Sequence, residues 1–270
     1  MRVLYVTQEM NPYTALSEIS EIFKNLPQKA QDNNYEIRVL MPKFGSINER
    51  RHRLHEVVRL SGMNIIVDDE DYPLIIKVAS IPGSRLQVYF LDNEEFFKKR
   101  AEFFDEENNL FEDNEERAVF FCKGVIETVR KFGWAPDIIH CHGSFTSLVP
   151  LFVKKVYHTD PILNFSKVIY SAYTDVIGNA FKKSFKDVAT INSLTDDDIT
   201  AYYRDGIVDL NQGACHFADG VILASESLGT LDVDQLAKDK PVMSIVGNEN
   251  HLSETIAFYQ QFIEQEVDNE

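Results

Sequence analysis

Short β-rich runs alternate with amphipathic helical stretches along most of this chain, and that alternation restricts the fold more than any other feature. Repeated strand–helix–strand order buries its apolar surfaces when the strands lie parallel and helices cover both faces of the sheet. Arg2–Val6 reads as the first buried strand, and the helix after it carries Ile19, Ile22, Phe23, Leu26 and Ala30 on one stripe. Thr14 or Ser17 can cap that helix, and Pro27 should kink or restart it. Glu36–Met41 is a second strand closed by Pro42. The β-rich segments Val57–Val67, Leu74–Ile81 and Leu86–Leu91, separated by turn residues, predict a small antiparallel excursion. A long helix from about Glu115 to Phe132 ends at Gly133, with Pro136 beyond it. Strands follow at Asp137–Cys141, Lys167–Tyr173, Gly220–Ala224 and Val242–Val246, with helices at Thr146–Tyr157, Val208–Ala218 and about Leu252–Val267. The expectation is an α/β fold: one Rossmann-like, doubly wound, mainly parallel sheet in a single domain over residues 1–270.

Charge narrows the function classes. The net charge is -16, which repels phosphate backbones and argues against a nucleic-acid partner. The basic run Arg50-Arg51-His52-Arg53, flanked by Glu49 and Glu56, reads as a solvated loop. Eleven carboxylates against three basic residues lie between Asp92 and Glu116. That stretch reads as a solvated, mobile surface loop or a docking surface for a basic partner, with Phe96, Phe97, Phe103 and Phe104 available as anchors. No apolar run approaches the roughly 18 residues of a membrane-spanning helix, and the opening run is too short for a signal peptide. The three cysteines, Cys122, Cys141 and Cys215, form no spaced pair, so a reduced cytoplasmic location is expected.

In doubly wound sheets, ligands sit beyond the carboxyl ends of the strands, near helix N-termini. That rule selects Gln8–Ser17, His142–Thr146 and Ala172–Gly178. Each selected place also lies in or beside a stretch that resembles one family. Arg2-Val3-Leu4-Tyr5-Val6-Thr7-Gln8-Glu9-Met10-Asn11-Pro12, Arg38-Val39-Leu40-Met41-Pro42-Lys43-Phe44-Gly45-Ser46-Ile47 and Gly133-Trp134-Ala135-Pro136-Asp137-Ile138-Ile139-His140-Cys141-His142 resemble the N-terminal domain of bacterial glycogen and starch synthases. Gly213-Ala214, Phe217-Ala218-Asp219 and Ala224-Ser225 are similar to the end of that domain, so the resemblance spans residues 1–227 and leaves a short strand and helix in 228–270. It implies one lobe of a two-lobed GT-B glycosyltransferase, whose members move glucose from a nucleotide sugar to an α-1,4-glucan.

At the family's substrate-contacting motifs the chain departs from the pattern. The family's Lys-Thr-Gly-Gly-Leu loop, which brings a cation and backbone N–H groups to the donor pyrophosphate, falls on Ala15-Leu16-Ser17-Glu18-Ile19. A carboxylate at Glu18 suits the helix dipole and repels a diphosphate. The family's His-Asp-Trp-His falls on His142-Gly143-Ser144-Phe145, which keeps the first histidine and replaces the last, and a His-Asn pair falls on Ala172-Tyr173, with Gly178 matching the glycine that ends that motif. About forty residues follow Ser227, too few for a second lobe.

The resemblance with these substitutions implies a pseudoenzyme that binds a ligand or a partner without glucosyl transfer, with no catalytic residue and no cofactor. Its vestigial cleft would be formed by Glu9, Ser17, Glu18, His142, Ser144, Phe145, Thr146, Tyr173, Asp175 and Gly178. Candidate partners are a glucan, a nucleotide sugar, a protein, or a second copy docked through the former inter-lobe face if the terminal helix leaves that face open. The alternative is one subunit of a split ADP-glucose-dependent transferase completed by a separate C-terminal lobe; a new reaction using His142, Ser144, Tyr173 and Asp175 is the third. His140, Cys141 and His142, with Cys215-His216, lack the spacing of a zinc ribbon and are explained by ancestry, so no metal is expected.

Overall fold

A computed structural model of the chain describes every residue except 82, 99, 175, 176, 178–180, 182–184, 192, 227, 229, 230 and 268–270, and omits the side chains of 264–267. In chain order its elements are β1 (Arg2–Thr7), α1 (Glu18–Asp32), β2 (Glu36–Pro42), α2 (Glu49–His52), β3 (His55–Glu56), β4 (Met63–Val67), β5 (Glu70–Ser80), β6 (Gln87–Asp92), α3 (Asn114–Phe132), β7 (Ile138–His142) and α4 (Leu148–Leu151). There follow β8 (Lys167–Ala172), α5 (Phe185–Ala189), α6 (Asp196–Thr200), β9 (Tyr203–Arg204), β10 (Ile207–Val208), α7 (Leu210–Phe217), β11 (Gly220–Leu223), α8 (Val233–Asp239), β12 (Val242–Ser244) and α9 (His251–Val267).

Nine strands run β12-β11-β8-β7-β1-β2-β6-β5-β3 across one sheet, and β4 pairs with β5 beside them. Every pairing from β12 to β6 is parallel. The antiparallel excursion is therefore the continuation of the main sheet: β6 is a parallel strand beside β2, and β5, β4 and β3 extend that edge antiparallel. Within the β-rich stretch 57–67 only Met63–Val67 is extended; Val57 opens a turn in which Leu60 and Ser61 donate their N–H groups to its carbonyl.

Chain order along the sheet reverses at β1. The step from β1 through α1 to β2 goes one way, and the step from β6 through α3 to β7 returns past β1. Right-handed crossovers then put α1 and α3 on opposite faces. Contacts agree: Tyr5 packs edge-on against Phe23 of α1 at 5.5 Å, while Gly124 of α3 lies against Leu91 of β6 and Leu74 of β5. The terminal helix α9 joins α1 on its face, where Phe258 and Phe262 lie against Gly220 of β11. The crevice at the carboxyl ends of β1 and β7 is thus the switch point at which doubly wound folds bind ligands.

Local signals place most of these elements. Ser17 caps α1 by accepting from the Ile19 N–H, and the stripe Ile19, Phe23, Leu26 and Ala30 is buried against the sheet. Pro27 sits inside α1 without restarting it, because its ring lies on the buried side of an already packed helix. Gly133 closes α3 at φ 60°. The Thr195–Asp198 capping box starts α6.

Three expectations need correction. The helix anticipated at Thr146–Tyr157 is a 3-10 turn at Ser144–Thr146, a single α turn in α4 and a π segment at Phe152–Val156. Pro150 lies within α4 and has no N–H for a regular ladder. Val208 belongs to a two-stranded hairpin with β9, and α7 starts after Asp209, whose side chain accepts from Gln212 N. The acidic stretch 92–116 is solvated only in part: most of its carboxylates are exposed, but Asp92, Glu115, Phe96, Phe97 and Phe103 are buried, and Lys77 meets Asp92 at 2.8 Å. Among the described residues, no helix is long and apolar enough to cross a membrane.

Candidate functional site

Three strands deliver their last residues to the switch point: β1 with Thr7, Gln8 and Glu9 beyond it, β7 with His142, and β8 followed by Tyr173. The loop from β1 to α1 folds over a buried carboxylate. Glu9 is fully buried and accepts from the Leu16 N–H at 2.6 Å, the Ser17 N–H at 3.0 Å and the Ser17 hydroxyl. Ser17 Oγ also accepts from the Ile19 N–H at 3.2 Å. Backbone donors at a helix start, the usual seat of a bound anion, are here taken up by groups of the chain itself. Glu18 adds a second carboxylate in the first turn and accepts from the Ser225 hydroxyl beyond β11.

The histidines lie deeper. His140 and His142 project from the same side of β7 with ring centroids 3.8 Å apart. His140 shares hydrogen bonds with Tyr259 of α9 at 2.6 Å and with Ser171 at 2.8 Å, so both ring nitrogens are occupied. Tyr259 in turn donates to Tyr5. His142 is 1% exposed, bonds Tyr173 at 3.0 Å through Nδ1 and stands edge-on against Phe23. Its Nε2 is buried without a hydrogen bond among the described residues. Burial pulls His140 down to about 3 and His142 well below the normal imidazole range, with His140 adding to the latter shift. Burial also raises the Tyr173 phenol well above its usual range.

The turn after β7 needs a left-handed backbone. Gly143 has φ 86°, and a Cβ there would lie 2.3 Å from Gln8 Oε1. The close approach lets Gln8 accept from the Phe145 N–H at 3.0 Å, joining this turn to the first loop. Thr146 caps the same turn through the Gly143 carbonyl at 2.8 Å, and Ser144 is buried within it. Phe145 points away from the histidines, and its ring packs among Phe103 (5.5 Å), Phe121 (5.7 Å), Phe44 (6.2 Å) and Phe97 (6.4 Å).

Of the residues singled out in the sequence, the structure therefore joins Glu9, Ser17 and Glu18 in one loop and pairs His142 with Tyr173. Ser144 and Thr146 hold a buried turn, and Phe145 belongs to the aromatic core. Asp175 and Gly178 lie outside the described residues. The open space beside Glu18 is a 610 Å³ cleft between α1 and the chain's last quarter, lined also by Glu21, Ser225, Glu226, Gly247 and His251 among others. Sequence reading missed Glu21, Glu226 and His251, because nothing local says that the segments after β11 and β12 fold back onto α1. It also missed Tyr259, whose one visible sign is an aromatic run in an amphipathic helix.

The neutral state of these histidines has a measurable consequence. A folded imidazole held at low pKa binds no proton where the unfolded one does, so the stabilising effect is complete above the unfolded value near 6.5 and is lost as pH falls toward the folded value. At about pH 5.5, the two imidazoles should take up about 1.8 protons on unfolding, a slope of roughly 2.5 kcal/mol per pH unit. Urea unfolding at closely spaced pH values reads this slope directly. A flat profile between about pH 5 and 7 contradicts the buried neutral pair.

The starch synthase catalytic domain model matches residues 2–229. A glycogen synthase from Chlorobium limicola is 35% identical over 219 residues, which cover 80% of this chain and 44% of that protein. A glycogen synthase from Chlorobaculum tepidum is 39% identical over 175 residues, covering 64% of this chain and 36% of that one. The chain thus spans less than half the length of these relatives. A solved structure described as the catalytic domain of starch synthase IV from Arabidopsis thaliana bound to ADP and acarbose superposes with a TM-score of 0.70 at 17% identity, over 90% of this chain and 51% of that one; this likeness speaks to the fold. With the match running from β1 past β11, the chain belongs to the starch synthase catalytic domain family.

Proposed function

We propose that this glycogen/starch-synthase-like domain does not transfer glucose by itself, and acts as a pseudoenzyme that binds a ligand or a protein partner. The observation that carries the reading is the acidic first loop, where the Glu9 carboxylate holds the Leu16 and Ser17 N–H groups and Glu18 stands at the start of α1. A diphosphate brought there meets two carboxylates and no lysine, since Ala15 occupies the position of the family's cation. Two like charges about 4 Å apart repel by about 4 kcal/mol at a surface-like dielectric, several hundredfold in affinity. The aromatic burial of Phe145 removes a further polar contact to the sugar. The proposed vestigial site comprises Glu9, Ser17, Glu18, His142, Ser144, Phe145, Thr146 and Tyr173, with Asp175 and Gly178 as further candidates outside the described residues.

Calorimetric titration with ADP-glucose and, separately, with maltooligosaccharides tests this. No donor binding is expected up to about 1 mM, and micromolar donor binding overturns the reading. Saturable glucan binding without donor binding assigns the ligand role to a carbohydrate, and absence of both, together with a partner recovered by pull-down, assigns an interaction role. A second reading rests on the greater length of the matched relatives: a separate C-terminal lobe completes an ADP-glucose-dependent transferase. It requires donor binding to emerge when that lobe is supplied, and the two carboxylates of the first loop weigh against that.

A further inference from the structure

On this strongly acidic chain one concave surface is basic. A cleft of 690 Å³ is lined by Tyr13, Arg51, His52, Arg53 and His55 on one side and by Ser80, Ile81, Gly83 and Ser84 on the other, and it shares none of its lining residues with the cleft beside Glu18. The arginines come from a tight local fold. Asn48 caps α2 by accepting from the Arg51 N–H, and Arg53 ends it in the left-handed region at φ 55°. Among the described residues neither Arg51 nor Arg53 makes an ion pair, and both are exposed. Glu49, the nearest carboxylate in sequence, is already committed to Lys43 at 2.9 Å and Lys77 at 2.7 Å.

An independent feature of the same cleft is the Tyr13 hydroxyl. Tyr13 is 8% exposed, its ring is held edge-on by His52 at 4.9 Å and Phe90 at 4.8 Å, and its oxygen is buried with no hydrogen-bond partner among the described residues. A buried phenol without an acceptor costs about 1–3 kcal/mol, so a native site that keeps one calls for an explanation. An acceptor placed between the arginines would supply it. Guanidinium groups match a phosphate with paired N–H donors, and a ring face beside them suits the body of a small molecule.

We propose that this cleft is an anion site for a small phosphomonoester, with Arg51 and Arg53 on the phosphate, the Tyr13 hydroxyl donating to it, and the body of the molecule lying along His52, Ser80, Ile81 and Ser84. The site is separate from the proposed vestigial cleft and stands whether or not the domain binds a nucleotide sugar. Its carboxylate-free arginines distinguish it from the acidic surface around it.

The test is titration of the full chain at constant ionic strength with inorganic phosphate and with a hexose monophosphate. Arg51→Ala/Arg53→Ala and Tyr13→Phe variants are run alongside. Submillimolar binding of at least one probe is expected, weakened about 10-fold or more in the double variant. Both arginines are exposed, so the melting temperature of that variant should match the parent. Tyr13→Phe should weaken binding several-fold while leaving the unliganded protein at least as stable, a combination that a purely structural tyrosine would not give. Equal affinity for the two probes assigns free phosphate as the ligand, and tighter hexose monophosphate assigns the ester. Absence of saturable binding below about 10 mM, or affinity unchanged in the double variant, overturns the proposal.

Discussion

Replacing Arg117 with methionine should lower the unfolding free energy by about 3–5 kcal/mol. Its side chain is fully buried. The guanidinium donates to the carbonyls of Phe96 at 2.9 Å, Glu102 at 2.7 Å and Ala101 at 3.0 Å, and to Asn114 Oδ1 at 2.8 Å. Asn114 in turn donates to the Phe103 carbonyl at 3.0 Å. Rings of Phe97, Phe111 and Phe44 lie 5.0–5.7 Å from the cation. Burial draws Arg117 down to about 9, which still leaves it charged at neutral pH. Methionine fills similar volume but leaves the buried Phe96 carbonyl and the part-buried carbonyls of Glu102 and Ala101 without that donor, and a fully buried unmet group costs about 1–3 kcal/mol. Urea denaturation measures the loss. Arg117→Lys, with a compact ammonium in place of the fork, should fall between the two. Because the bonds tie residues 96–103 to α3, limited proteolysis of the methionine variant should cut first within 98–109. A variant as stable as the parent would show that the acidic segment is held by its phenylalanines alone.

That segment shows where sequence reading reached and where it stopped. Helix α3 was legible nearly to the residue, because its apolar stripe and the Gly133–Pro136 stop are local signals. The acidic stretch before it presented the same kind of local signal, eleven carboxylates, and suggested solvent. Besides its phenylalanines, one arginine holds it by binding carbonyls 15 to 21 residues away, and carbonyl acceptors leave no mark on composition. The order β1-α1-β2 followed from alternation. The position of β6 did not, since a strand that reads as part of a hairpin can pair in parallel on its other edge.

The candidate site was legible in a similar, uneven way. Glu9, Ser17 and Glu18 were found because they flank a helix start, where charge and capping have direct physical meaning. His142 was found as the end of a strand. Its environment was hidden: Tyr173 lies 31 residues away and the Tyr259 beside its neighbour His140 lies 119 residues from that histidine, with no periodicity linking them. The substitution of a polar contact by Phe145 was plain in the sequence, but the direction of its ring was not.

That direction decides a final expectation: Phe145→His should destabilise the fold by about 3 kcal/mol and restore no donor binding. The Phe145 ring is fully buried and touches four other phenylalanines, and the backbone on either side is fixed. Its N–H donates to Gln8 at 3.0 Å and its carbonyl accepts from the Cys122 thiol at 3.3 Å. An imidazole in that cage loses apolar contact and brings two ring nitrogens in among four aromatic rings. His142 lies against Phe23 of α1, whereas Phe145 lies against Phe121 of α3, so the two side chains point into opposite layers of the fold. Turning the new ring toward the loop of Glu9 would require breaking the Gln8 contact and opening the aromatic cluster. Urea unfolding gives the stability term, and ADP-glucose titration of the same variant gives the binding term. A stable variant that binds the nucleotide sugar would mean that the residue at this position alone separates the domain from a working donor site, and that the carboxylates of the first loop do not.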